Sequence, residues 1–303
     1  MEKRKLGNTG LEVTVIGFGA MTIGGAFGPV NDDDSSAALH AAIDSGMNFI
    51  DTSNAYGEGR SESLIGAFLK TRTDRDNILI ISKGGNNMVT RQRNFESTYI
   101  AKCLEESLQR LGRETIDVYL LHNPTVENMK ALDSYAVLEK AKADGKIRHW
   151  GVSVNTVEEC EFAAAQGRPS AMQMEYNVMN QSAAEAFAAA KAAGLGVISR
   201  VPLARGFLSG RIDESKQFSD DDTRKRALTP ENIRKFQTHL DKVKALAAEL
   251  GVSPAALAVR FCISNPNVSC VIPGVRTAEQ ARQNAASTAP LPAGIMAQLV
   301  RGD

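Results

Sequence analysis

Across 303 residues, short apolar runs alternate with amphipathic stretches almost without interruption, and this alternation limits the possible folds more than any other feature. The apolar runs cover residues 13–17, 48–50, 78–82, 116–121, 147–153, 171–174, 196–199 and 268–272. Their length and β-branched content predict buried strands, whereas residues 32–45, 95–111, 129–143, 182–193 and 233–250 space apolar side chains three and four apart, as helices do. Gly46, Gly112, Gly145, Gly194 and Gly251 stand where those helices stop, since helix ends favour a left-handed residue. Strand–helix alternation implies a parallel sheet with crossover helices. Eight such pairs predict a (β/α)8 barrel rather than an open doubly wound sheet, and a barrel of this length forms one domain, residues 1–303.

Two segments depart from the alternation. Residues 3–11 read as a small hairpin turning at Asn8-Thr9-Gly10 and capping the bottom of the barrel. Residues 203–231 read as a long loop after the seventh strand, with Asp220-Asp221-Asp222 followed by Arg224-Lys225-Arg226. Loops of this length are lids or solvated segments, so it is either a mobile surface loop or a flap over cofactor or substrate.

Lys plus Arg equals Asp plus Glu at 35 each, which argues against a nucleic-acid or membrane partner and for a small molecule. The basic amino terminus has no long apolar stretch behind it, and no segment approaches the ~18 apolar residues of a membrane span, so a cytoplasmic location is expected. Cys103, Cys160, Cys262 and Cys270, like the four histidines, lack metal-type spacing, and no metal site is expected. The sequence carries no reading of oligomeric state.

Four polar residues stand at or near the ends of predicted strands. Asp51, Lys83 and His122 each follow an apolar run, and Tyr56 lies five residues past Asp51. In a barrel the carboxyl ends of the strands carry the chemistry, so these four converge on one mouth. Singly, Asp51 reads equally well as a turn cap, Lys83 as a solvated cation and His122 as a core histidine. Together they form a proton-delivery set. Lowering a phenol from ~10 to near neutrality requires about 4 kcal/mol, and an ammonium about 4 Å away at an effective dielectric of about 20 supplies that much. Lys83 is therefore expected to bring Tyr56 down, Asp51 to orient Lys83, and His122 to hold a substrate oxygen.

At these residues the chain resembles an aldo-keto reductase, over essentially its full length. The segment from Asp51 through Tyr56, Gly57 and Gly59 to Ser61-Glu62 is similar to the family's Asp-to-Tyr segment, Ile81-Ser82-Lys83 to its lysine strand, and Leu121-His122-Asn123-Pro124 to its histidine strand. The resemblance implies that Tyr56 is the general acid of carbonyl reduction, tuned by Lys83 and Asp51. Gly17-Phe18-Gly19 lacks the third glycine of a dinucleotide fingerprint. By resemblance, Gly19, Met21 and Thr22 instead approach the nicotinamide.

The resemblance extends to the cofactor. Gly151-Val152-Ser153-Val154-Asn155 and Gln173 are similar to segments that bind the nicotinamide amide, implicating Ser153, Asn155 and Gln173. Arg200 stands where many members stack an aromatic ring, and Pro202, Leu203 and Gly206 follow it. Gly274, Arg276, Gln280, Gln283 and Asn284 resemble the adenosine end, where Arg276 reads a 2′-phosphate. The implied cofactor is NADPH in preference to NADH. A short carboxyl-terminal tail implies an open pocket, with Met21, Phe27, Met88 and Asn123 as candidate walls. Two other readings stay open: a Schiff-base lyase using Lys83, which a charge partner at Asp51 disfavours, and an NADPH-binding regulatory subunit.

Overall fold

The computed structural model describes residues 1–87, 90, 92–131 and 133–300. Its strands are β1 (Lys3–Lys5), β2 (Glu12–Thr14), β3 (Phe18–Gly19), β4 (Phe49–Asp51), β5 (Leu79–Gly84), β6 (Ile116–His122), β7 (Ile147–Ser153), β8 (Ala171–Glu175), β9 (Gly196–Arg200) and β10 (Cys270–Ile272). β3 to β10 form one eight-stranded parallel sheet in sequence order. Bridges from Ile16 to Val271 and from Gly19 to Gly274 join its two edges, so the sheet closes into the expected (β/α)8 barrel.

Side chains alternate between the two faces of every strand. One set faces outward: Ile50, Ile80, Tyr119, Leu121, Trp150, Val152, Met172 and Val197 pack in the larger core with helices such as Ser97–Leu111 and Pro254–Ser264. The other set faces inward: Phe49, Ile81, Val118, Leu120, Ala171, Ile198, Cys270 and Ile272 cluster with Leu6, Leu11 and Val13. The amino-terminal hairpin therefore plugs the lower end of the barrel, held there by Arg4, which donates to the carbonyls of Ile263 (3.0 Å) and Val268 (2.9 Å).

The structure shifts several predicted boundaries. Residues 13–17 do not form the first barrel strand, because Glu12–Thr14 pairs antiparallel with Lys3–Lys5 and extends the hairpin. Val13 is needed in the plug, and barrel pairing begins only at Ile16. The predicted helix 129–143 is two helices, Val126–Lys130, capped by Thr125, and Asp133–Ala143. The predicted helix 233–250 starts earlier, at Pro230, because the Thr229 hydroxyl caps it and proline suits a first helical position. Residues 203–231 include two short 3-10 turns, Ala204–Ser209 and Thr223–Arg226, and dock on the loop after β3. There the Thr223 amide donates to the carbonyl of Ala26 at 3.0 Å. Among the described residues no single helix is long and apolar enough to cross a membrane.

Candidate active site

The period of two that carries the inner apolar row upward delivers polar residues at its top. Two positions beyond Phe49 is Asp51, beyond Ile81 is Lys83, beyond Leu120 is His122, beyond Ala171 is Gln173 and beyond Ile198 is Arg200. The register staggers them, with Asp51 beside Ile81, Lys83 beside Leu120 and His122 beside Ser153, and the Lys83 and Gln173 side chains span that offset to reach Asp51. Tyr56 enters from the turn after β4, where the loop after β3 fits closely under it. A Cβ on Gly24 would lie 2.8 Å from the Tyr56 carbonyl carbon.

Lys83 is fully buried. Its three N–H groups are all accepted: by Asp51 Oδ1 at 2.7 Å, by the Thr52 carbonyl at 2.8 Å and by the Tyr56 hydroxyl at 3.1 Å. Burial presses the amine toward its neutral form, but Asp51 and Tyr56 outweigh burial and its pKa is raised. The second Asp51 oxygen accepts from Gln173 Nε2 at 2.7 Å. Because the Tyr56 oxygen accepts from Lys83, the phenol keeps its own proton available.

The Tyr56 pKa runs against the expectation from sequence. Burial pushes the phenol above its ordinary value, and the Lys83 ammonium, which acts to lower it, does not prevail. Asp51, at 2.7 Å from Lys83, offsets the charge that was to do the lowering. Tyr56 therefore stays protonated through neutral pH.

His122 is a neutral imidazole, its pKa held well below the usual value by burial first and then by Lys83, Arg200 and Arg93. Its ring meets Tyr56 edge-on, with centroids 5.9 Å apart. Its Nδ1 accepts from Asn86 Nδ2 at 2.8 Å and lies 3.0 Å from the Ser53 hydroxyl. Behind the layer, buried Glu62 accepts from Ser82 Oγ at 2.5 Å and Arg110 Nε at 2.8 Å, tying β5 to the helices Arg60–Lys70 and Ser97–Leu111.

Asp51, Tyr56, His122, Gln173 and Arg200 line one end of a cavity of about 1340 Å³. That exceeds the ~300–1,000 Å³ of most small-molecule sites and leaves room for a dinucleotide with a substrate. Its walls also include Gly19, Met21, Thr22, Pro202, Leu203, Gly206, Gly274, Arg276, Gln280, Gln283 and Asn284, the residues that the resemblance implicates in cofactor binding. Phe27 and Asn123 are walls too, whereas Met88 lies outside the described residues. Ser153 and Asn155 are not brought to the wall. Ser153 is buried, its hydroxyl 3.5 Å from Gln173 Oε1, and Asn155 is exposed, with its Oδ1 accepting from Arg200 at 2.9 Å.

The donor set along this cavity suits a phosphate-bearing group. Arg200, Arg205, Arg211, Lys216, Arg224, Arg226, Arg260 and Arg276 line it, against Asp51 as the one carboxylate among the described lining residues. The buried Arg200 Nε has no hydrogen-bond partner. Arg276 spends two donors on the carbonyls of Phe27 (2.9 Å) and Pro29 (2.6 Å), which leaves three N–H groups. A side chain at position 274 would bring its Cβ within 2.9 Å of Thr22 Cγ2, so glycine there keeps the cleft open.

Sequence reasoning missed three contributors, Asn86, Ser53 and Arg224. Asn86 and Ser53 hold His122, and neither ends a strand. Arg224 and Phe27 join the long loop to the loop after β3, the guanidinium lying 4.7 Å from the ring centroid. The run Asp220-Asp221-Asp222 and Arg224-Lys225-Arg226 held the only signal, since Asp222 pairs with Arg224 at 2.6 Å and fixes that cation over Phe27.

A model of the aldo/keto reductase family matches residues 15–301. The chain is 30% identical over 291 residues to Aldo-keto reductase yakc, NADP(+), of Schizosaccharomyces pombe, covering 93% of this chain and 85% of that one. It is 28% identical over 299 residues to L-galactose dehydrogenase of Arabidopsis thaliana, covering 96% and 89%. Among solved structures, the glycerol dehydrogenase AKR11B4 of Gluconobacter oxydans superimposes with a TM-score of 0.84 at 26% identity, over 98% of this chain and 93% of that one.

Proposed function

The chain belongs to the aldo/keto reductase family of NAD(P)H-dependent oxidoreductases, and from that premise we propose that it reversibly reduces aldehydes or ketones to alcohols with NADPH. One observation carries the reading: a fully buried ammonium bridges Asp51 and the Tyr56 oxygen at the end of a large cationic cavity. When bound, the reduced nicotinamide supplies the hydride. Tyr56 gives its proton to the substrate oxygen, and Lys83, 3.1 Å away, stabilises the phenolate left behind. Asp51 keeps Lys83 charged and aimed, and Gln173 keeps Asp51 aimed. His122 holds the carbonyl oxygen from the side opposite its buried Nδ1.

Gly19, Met21 and Thr22, with Gln173, Arg200, Pro202 and Leu203, form the nicotinamide end in this reading. Ser153 and Asn155 act there through Gln173 and Arg200, and Gly206 lines the cleft from the turn Ala204–Ser209. Arg276, with Gly274, Gln280, Gln283 and Asn284, forms the adenosine end. The three free donors of Arg276 and the surrounding cations support NADPH over NADH. The Schiff-base alternative loses support, because an amine whose three protons are all accepted and whose pKa is raised has no lone pair for attack. The names L-galactose dehydrogenase and glycerol dehydrogenase point toward polyhydroxylated substrates. The buried, unpartnered Oδ1 of Asn123 on the cavity wall suits a substrate hydroxyl.

The test is a panel of aldehydes, ketoses and quinones assayed with NADPH and with NADH. The expected result is carbonyl-dependent oxidation, faster with NADPH, and a KM for NADPH raised about tenfold by Arg276→Ala, equivalent to one charged hydrogen bond. NADPH binding without oxidation across the whole panel would instead support the regulatory-subunit reading.

A further inference from the structure

We propose that Asn86, assisted by Ser53, is a positioning residue that sets the tautomer of His122, so that the imidazole carries its single proton on Nε2. The inference rests on the reductase reading for its catalytic consequence, but the tautomer itself is a property of the chain alone.

A carboxamide nitrogen has two N–H groups and no lone pair to offer, so Asn86 Nδ2, 2.8 Å from His122 Nδ1, acts as a donor. The nitrogen it meets must be bare. Ser53 leads to the same assignment. Its oxygen already accepts from the Ala55 amide at 3.1 Å, and its proton has Nδ1 at 3.0 Å as its nearest acceptor, ahead of Asn54 Oδ1 and the Lys83 carbonyl at 3.4 Å. The doubly protonated imidazolium is opposed by burial and by three facing cations, Lys83, Arg200 and Arg93. A neutral ring with a bare Nδ1 has its proton on Nε2.

Asn86 is itself held in place. It lies two residues past the end of β5, the strand that carries Lys83. Its carbonyl accepts from the Tyr99 hydroxyl at 3.0 Å and from Asn54 Nδ2 at 3.5 Å, and it bridges to Arg93 across the loop. One strand and its continuation thus arrange two groups, the ammonium behind Tyr56 and the donor behind His122. With the proton on Nε2, His122 donates to the substrate oxygen that Tyr56 protonates. With the proton on Nδ1, it would turn a lone pair toward that oxygen and repel it.

The experiment uses the full chain with ¹⁵N-labelled histidine. Long-range proton–nitrogen spectra report which ring nitrogens carry hydrogen, and His122→Gln identifies the His122 signals among the four histidines. The wild type is expected to show a protonated Nε2 and a bare Nδ1. Asn86→Asp is nearly isosteric but places a carboxylate, an acceptor only, against Nδ1. It is expected to move the proton to Nδ1, to lower kcat about 10²-fold, as loss of an oxyanion donor does, and to leave NADPH affinity unchanged. It should also add an inflection near neutral pH to a profile that is flat there in the wild type. Asn86→Leu removes the donor without adding an acceptor, and a smaller fall of about tenfold is expected; this variant reads the same signal if the aspartate variant does not fold. A protonated Nδ1 in the wild type, or an unchanged tautomer and kcat in Asn86→Asp, would overturn the proposal. If the wild type reduces no carbonyl, the reductase reading fails while the spectra still decide the tautomer.

Discussion

The lower and upper halves of the barrel interior are built by the same strands and differ in what their inward positions carry. Below, Phe49, Ile81, Val118, Leu120 and Ile198 meet Leu6, Leu11 and Val13 of the hairpin in an apolar plug. One inward step above, Asp51, Lys83, His122, Gln173 and Arg200 exchange hydrogen bonds and charge. A lysine that is fully buried is tolerable only because every donor it has is accepted. The apolar layer supplies stability and shuts water out from below, and the polar layer uses that dryness to strengthen its electrostatics.

If that division holds, substitutions in the two layers should separate activity from stability. The largest effect is expected from Lys83→Met, which leaves Asp51 with Gln173 alone and removes the cation behind Tyr56. Its kcat should fall about 10²–10⁴-fold, and the unpaired buried carboxylate should cost roughly 3–5 kcal/mol in denaturant melts. Retention of both rate and stability would dissolve the distinction between the layers. Leu6→Ala, at a fully buried plug position, should cost about 2–5 kcal/mol with kcat unchanged in the folded protein. A large loss of kcat in folded Leu6→Ala would show that the layers are coupled.

A smaller effect concerns pH. The pKa of His122 is depressed in the folded chain, so the unfolded chain takes up its proton first as pH falls. The contribution of this residue is complete above about pH 6.5 and is lost as pH drops toward the folded value. Urea melts at pH 7 and pH 5 should therefore show a larger acid-induced loss in the wild type than in His122→Gln. Equal losses would mean that His122 is not buried as a neutral ring.

The tetrad is legible in the sequence because Asp51, Lys83 and His122 end apolar runs, and the period of two obliges them to share the inward face. The barrel is legible for the same reason, as eight buried runs separated by helical stretches. The first strand is harder to read, since Val13 is apolar in either role and only the closed barrel reveals that its lower end needs a plug. Asn86 carries no periodic signal, because its place follows from a loop anchored by Tyr99 and Asn54. The state of Tyr56 is misjudged from sequence because a pairwise sum of Lys83 and the phenol omits both the Asp51 charge and burial.

The central claim is that the Tyr56 phenol, beside Lys83 in the polar layer, delivers the proton. Tyr56→Phe removes one oxygen and leaves the cationic cavity in place. Single-turnover reduction by this variant, with NADPH affinity measured in parallel, should show a rate lowered about 10²–10⁴-fold and binding close to that of the wild type. A Tyr56→Phe variant that reduces carbonyls at the wild-type rate would contradict the account.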